Sequence, residues 1–189
     1  MSFDSPNNPG SNRDISNVAA LKLPPHSVDA EQAVLGGLML DNTEWDNVSD
    51  VLQDIDFYRP EHQLIYRTMF QQSESNKPID VVTLAESLNA LNELESAGGL
   101  DYLSDLAGNA RGTANIHAYA EIITERAILR RLISVANGIA DSGYNTGGKK
   151  SAEILDEAEQ QVFNINDDRP KDSGPEYIDP ILTGAVNRI

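Results

Sequence analysis

Apolar residues recur three and four apart along most of this 189-residue chain, the spacing of helices that each bury one face. Ser27 stands ahead of Val34, Leu35, Leu38 and Met39, placed to accept from the free amides of a first turn. Thr43 followed by Asp46 has the form of a capping box, and Trp45, Val48, Val51 and Leu52 supply the next inner face. Pro60 sits where a first-turn proline is tolerated and opens a helix carrying Leu64, Ile65, Met69 and Phe70. Asp80 caps a further helix with Val82, Leu84, Leu88 and Leu91. Breaks at Asp41-Asn42, Asp56, Asn76-Lys77-Pro78, Gly98-Gly99 and Gly108 separate these elements. Val81-Val82-Thr83 is too short for a strand, and no segment sustains the alternation one needs.

The pattern changes near Ala114. From there to Asp141 the spacing predicts one helix of roughly eight turns. It carries two apolar stripes: Ile122, Leu129, Leu132, Ala136 and Ile139 on one, Ile116, Tyr119, Ile123 and Ala127 on the other. The loop Ser142–Lys150 turns the chain. A second helix follows from Ser151, with Leu155, Ala158, Val162 and Ile165 at near-heptad spacing. A two-helix hairpin cannot bury this much apolar surface by itself, so the surplus calls for a partner.

The fold class is therefore all-α. The expected divisions are a disordered Ser/Asn/Pro/Gly tail at 1–22, a multi-helix globule at 23–112 and an antiparallel hairpin at 113–166. A polar Pro/Gly linker at 167–178 and an amphipathic segment opened by Asp179-Pro180 at 179–189 complete the chain. Gly184 weakens that last segment as a helix by about 1 kcal/mol relative to alanine. Chains seldom end within a helix, so a longer natural product is expected.

Charge narrows the function. Thirty acidic residues outweigh 14 basic ones, for a net charge of −16. Proteins that grip phosphates need a cationic stripe to displace counterions. Tight, direct nucleic-acid binding by these residues is not expected, and a protein partner with a basic surface fits better. There is no cysteine, hence no disulfide and no thiolate metal site, as suits a cytosolic setting. No apolar run approaches the roughly 20 residues of a membrane span, and the N-terminus lacks the marks of a secretory signal.

Candidate chemistry is sparse. Gly143 to Lys149 fits the phosphate-binding spacing G-x-x-x-x-G-K, but Lys150 stands at the magnesium-ligating hydroxyl position. A helix precedes the loop where the motif requires a strand, and no apolar strand ending in Asp follows. His26, His62 and His117 lie on separate elements without zinc-helix spacing, so each is read as a surface or structural residue. No G-x-S-x-G and no cysteine nucleophile is present. Catalytic, cofactor-binding and metal-binding residues are accordingly expected to be none. Arg126, Arg130 and Arg131 form the one dense basic cluster. With a turn near residue 146, Arg130 would lie opposite about Phe163, offset from the acidic block Glu153, Asp156, Glu157 and Glu159. A second, antiparallel hairpin would bring the opposite signs together. The expected self-association face is Arg126, Leu129, Arg130, Leu132, Ala136, Leu155 and Val162.

The wording AEQAVLGGLMLDN, DFYRPEHQLIY, TLAESL and ANIHAYAEII, with PIDVVTLAESL at 78–88 and SAGGLDYLSDLA at 96–107, closely resembles the amino-terminal domain of the DnaB family of bacterial replicative helicases, from about Leu21 onward. The resemblance implies a collar of paired hairpins, a trimer of dimers above a ring of RecA-type ATPase domains. ATP and Mg²⁺ would belong to that motor and not to these residues. The ring would encircle single-stranded DNA in the bacterial cytoplasm. The collar would recruit a DnaG-type primase, with Tyr102, Ile133 and Ile139 as the contact residues expected here. A helicase loader would engage mainly the linker helix. The competing readings are a stand-alone adaptor or inhibitor that mimics the collar, and an enzyme using the 143–151 loop for a nucleotide.

Overall fold

A computed structural model describes residues 23–110 and 112–167, and every regular element among them is helical. In chain order these are α1 (Val28–Leu40), a 3-10 turn (Asn42–Glu44), α2 (Trp45–Ser49), a second 3-10 turn (Asp54–Asp56), α3 (Pro60–Glu74), α4 (Val81–Ala90), α5 (Gly99–Asn109), α6 (Ile116–Tyr144) and α7 (Ser151–Asp167). The expected tail and the final segment lie outside the described residues. α7 runs on through Asp167, where the linker was expected to begin.

α1 is the axis of the globule, packed on α3, α5 and α6. It is apolar nearly all round, with Val34, Leu35, Gly36, Gly37 and Leu38 all buried, as a helix enclosed by others must be. Ser27 caps it, its hydroxyl accepting from Ala30 N at 3.4 Å. Gly36 permits the closest approach, since a Cβ there would stand 2.2 Å from the Leu106 carbonyl oxygen of α5. The core around α1 includes Leu35, Phe57, Ile65, Tyr66, Met69, Leu84, Leu88 and Leu103, each large side chain contributing about 1.5–3 kcal/mol by burial. Tyr66 donates its hydroxyl to Leu52 O at 3.1 Å, and burial pushes its phenol well above the ordinary value, the nearby Asp56 and Asp54 charges adding to the shift.

Two capping expectations separate here. Asp80 accepts from Val82 N and Thr83 N, and Thr83 Oγ1 accepts from Asp80 N, closing a capping box at α4. Thr43 does not cap α2. Asp41 instead accepts from Thr43 N at 3.0 Å and from Thr43 Oγ1 at 2.6 Å, capping the 3-10 turn. The short Asx-type bond two residues on wins over the longer reach to Asp46. Those two bonds hold the Asp41 carboxyl below its ordinary value. Val82 and Leu91 are not inner residues, being 68% and 52% exposed. Val82 is about 200° around the helix from Leu84, on the opposite face.

α6 begins at Ile116, two residues later than expected, and its 29 residues span about 43 Å. Ile116, Ala120, Ile123 and Ala127 are buried against the globule. Beyond Arg131 the helix leaves it and pairs with α7, so the second of the two expected stripes attaches the hairpin and the first is left open. Gly147 and Gly148, at φ +58° and +85°, take the left-handed conformations that turn the chain into α7.

Candidate interaction surface

Three constructions meet where the hairpin leaves the globule. The first is a buried polar chain. Glu31, 1% exposed on the inner face of α1, accepts from Tyr58 N at 2.8 Å, Arg59 N at 3.4 Å and His62 Nδ1 at 2.6 Å. It thus supplies from another helix the acceptor missing at the start of α3, where Arg59 provides no side-chain cap. His62 is fully buried and its Nε2 lies 2.6 Å from the Tyr102 hydroxyl, which also accepts from Gln32 Nε2 at 3.2 Å. The donors and acceptors then fit one pattern. Nδ1–H donates to the carboxylate, Tyr102 donates to Nε2, and Gln32 donates to Tyr102. The chain runs from the core to the surface and holds the Tyr102 ring, with the Arg59 guanidinium 5.9 Å from its centre.

The second construction is an arginine clamp. Arg130 donates to Pro25 O at 2.8 Å and to Asp56 O, and lies 5.8 Å from the centre of the Tyr58 ring. Tyr58 stacks in turn on His26 at 4.2 Å. Arg131 pairs with the Asp56 carboxylate at 2.7 Å. Burial draws the Arg130 guanidinium below its ordinary value, opposed by the Glu31 and Asp56 charges. Arg130 was expected to face a neighbouring hairpin. The structure places it on its own globule, because Pro25 and Asp56 present carbonyls that nothing in a helix satisfies. Arg126, one turn earlier, is exposed.

The third is the open stripe. Leu129, Leu132 and Ile133 are 37%, 45% and 47% exposed on α6, and Leu155 and Val162 are 63% and 48% exposed on α7. Ala136 is exposed and Ile139 half-buried. Leu129, Leu132, Ile133 and Ala136 follow one another at helical spacing, so they share one face. Tyr102 is not part of it. It lines a groove of about 600 Å³ beside Tyr119 and Ile122, and Ile133 lies eleven residues, roughly 16 Å, further along α6. The three expected partner-contact residues therefore form two sites.

Nothing else among the described residues suggests chemistry. The glycine loop at 143–148 follows a helix, and Lys149 is tied to Glu157 at 2.6 Å. Among the described residues no three metal-ligating side chains cluster, and none of their helices is long and apolar enough to cross a membrane. His117 lies 3.5 Å from Glu121 on an exposed face. The sequence reading missed the Glu31–His62–Tyr102 chain and the arginine clamp. A signal for the first was present. Glu31 is spaced three and four residues from Val34 and Leu35, and His62 likewise from Ile65 and Tyr66, which puts both on inner faces.

Residues 23–125 match the family model described as the DnaB-like helicase N-terminal domain. A replicative DNA helicase of Buchnera aphidicola subsp. Schizaphis graminum is 51% identical over 170 residues, covering 89% of this chain and 37% of that protein. The chain thus spans little more than a third of the length of such curated relatives. The crystal structure of the N-terminal domain of the Mycobacterium tuberculosis DnaB helicase superposes with a TM-score of 0.72 at 35% identity. The match covers 75% of this chain and 99% of that one. An N-terminal domain of the Helicobacter pylori helicase, described with its interactions with primase, matches at TM-score 0.52 and 26% identity. It covers 61% of this chain and 89% of that one.

Proposed function

This chain belongs to the DnaB-like helicase N-terminal domain family, and from that premise we propose that it is the assembly and primase-recruiting collar of a replicative DNA helicase. One observation carries the reading: a helical hairpin stands off the globule with an apolar stripe that its own chain leaves open. Leu129, Leu132, Ala136, Leu155 and Val162, with Arg126 at the base, form the face on which a second hairpin packs, giving dimers that close into a hexameric ring. Arg130 is left out of that face because it serves the clamp. A DnaG-type primase docks on the outside of the collar, using Tyr102 on the globule and, on the hairpin, Ile133 and Ile139, which lie at the two margins of the paired stripe rather than at its centre.

Unwinding, with its ATP and Mg²⁺, belongs to a RecA-type motor and not to these residues. The ring encircles single-stranded DNA in the bacterial cytoplasm, but a domain of net charge −16 contributes little grip of its own. A loader acts mainly through the segment 179–189, outside the described residues.

Light scattering over roughly a hundredfold concentration range, about two decades in Kd, tests the first half. Masses at multiples of 20.6 kDa, returned to one by Leu132→Glu with Leu155→Glu, are expected. A monomer throughout refutes self-assembly by these residues. Calorimetric titration with the C-terminal domain of a DnaG-type primase tests the second. Tyr102→Ala and Ile133→Asp should each weaken binding about tenfold or more, roughly 1.4 kcal/mol, and equal affinity for all variants refutes the contact.

A further inference from the structure

Tyr102 stands in the first turn of α5, a turn that its own helix holds weakly. Gly98 and Gly99 enter it at φ +97° and +79°, and Gly98 provides no side-chain cap, so the free amides there do little to fix the ring. Other helices do. The Tyr102 hydroxyl lies 2.6 Å from His62 Nε2 of α3 and accepts from Gln32 Nε2 of α1 at 3.2 Å. The two rings are 4° from coplanar, with centres 6.0 Å apart. A hydroxyl bridge of 2.6 Å accounts for much of that separation, so the rings meet edge to edge without overlapping. The lone pair of an imidazole nitrogen lies in the ring plane, so this one bond sets the tilt of the tyrosine as well as its place. Gly98 completes the cradle. A Cβ there would stand 2.7 Å from Tyr102 Cδ1, so the ring lies against bare backbone.

We infer that His62 is a positioning residue for the partner contact at Tyr102, fixing from inside the core the ring that the partner meets. The inference rests on the collar reading, which gives Tyr102 to a primase. His62 is fully buried and touches no partner itself. Its Nδ1 is anchored 2.6 Å from Glu31, which two backbone amides hold in turn, so the imidazole has no freedom to rotate. With its proton spent on Nε2, the Tyr102 hydroxyl offers a partner no hydrogen-bond donor. What faces outward is the ring, a surface for aliphatic or cationic side chains.

The test separates the two nitrogens of the imidazole. In His62→Asn the amide nitrogen stands where Nδ1 stood and still donates to Glu31, but nothing reaches Tyr102. His62→Gln extends to the Nε2 position. Tyr102→Phe breaks the same bond from its other end and keeps the ring. In calorimetric titration of the full chain with the C-terminal domain of a DnaG-type primase, His62→Asn and Tyr102→Phe should each raise Kd about three- to tenfold. That is the cost of immobilising one loosened aromatic side chain on binding. The two changes together should do no more than either alone, since both remove one bond, and His62→Gln should restore most of the affinity. Isotope-labelled histidine reads the bond without any partner, and the His62 nitrogen shifts should show Nδ1 protonated and Nε2 bare. Unchanged affinity in His62→Asn overturns the inference, as does a loss confined to Tyr102→Phe, which would set the hydroxyl against the partner. Additive losses or an Nε2–H tautomer overturn it too. Unchanged affinity in Tyr102→Ala is a different failure: it removes the primase contact itself, and the inference falls with it.

Discussion

Arg130→Ala should be far more damaging than Arg126→Ala, although the two arginines are one helical turn apart on the same ridge of α6. Arg130 donates to the Pro25 and Asp56 carbonyls and stacks over Tyr58 at 5.8 Å. A hydrogen bond from a charged donor is worth about 1.5–3 kcal/mol net, and the cation–π contact about 0.5–1 kcal/mol. Arg130 is half-buried, so water replaces part of what is lost, and about 3 kcal/mol is the expected cost. For a domain of this size each kcal/mol lowers Tm by about 2–4 °C, giving a fall of about 6–12 °C. Arg126 is exposed, and its removal should stay within about 0.5 kcal/mol. Thermal unfolding followed by circular dichroism at one fixed protein concentration measures both, since any self-association makes Tm depend on concentration. The Ala30 and Glu31 amides, which donate to Ser27, should exchange faster in the Arg130 variant alone. Equal and small shifts for the two variants would show that the clamp holds nothing, and that Arg130 is as free for a partner as its neighbour.

Gly36→Ala should cost at least about 2 kcal/mol, in the upper part of the usual range for overpacking, because the added Cβ meets the Leu106 carbonyl at 2.2 Å and backbone cannot rotate away. Gly108→Ala, with open space around it, should be neutral or stabilising in the same urea titration. Glu31→Gln keeps the shape of the side chain but turns an amide N–H₂ toward donors. A loss of about 3 kcal/mol is expected, as for one broken member of a buried charged set, seen as a lower urea midpoint with unchanged slope. Asp41 contributes stability above its unfolded value of about 3.8, because its folded carboxyl titrates lower, and that contribution is lost as pH falls through the folded value. Asp41→Asn should therefore remove part of the acid-side slope of stability against pH below about pH 4, and leave the slope above pH 6 unchanged.

How far the fold was legible depends on the kind of signal. Ser27, Pro60 and Asp80 announce helix starts because capping is chemistry between residues two and three apart, written in one stretch of sequence. Thr43 misled because two local acceptors competed, and a turn two residues long closed before a helix could use the other. The α6 stripes were both readable from periodicity, but which one meets the globule was not. That depends on how α1 and α5 are placed, and Gly36 sets their distance without contributing an apolar signal of its own. The polar chain is harder still. Glu31 and His62 are 31 residues apart, and a lone glutamate in a chain with 30 acidic residues reads as one more surface charge. Only its spacing among Val34, Leu35 and Leu38 distinguishes it.

The same structure explains why composition understates the acidity that a partner meets. Arg59, Arg67, Arg131 and Lys149 are engaged with Glu61, Asp54, Asp56 and Glu157, and Arg130 is turned onto backbone carbonyls. These pairs cancel locally, leaving the unpaired carboxylates to set the outer field. The exposed pairs among them, those of Arg59, Arg67 and Lys149, add little to stability, about 0–1 kcal/mol each, so their main effect is on where charge is left over. On α7 Glu153, Asp156 and Glu159 are exposed beside Leu155 and Val162. An apolar stripe edged by acid repels an identical parallel copy and accepts one whose register sets basic residues against it, and on α6 Arg126 is the cation left exposed to do so. Electrostatics of this kind chooses orientation more than it adds affinity. The apolar stripe supplies the attraction, and the sparse, already committed cations leave few arrangements in which two hairpins can use it.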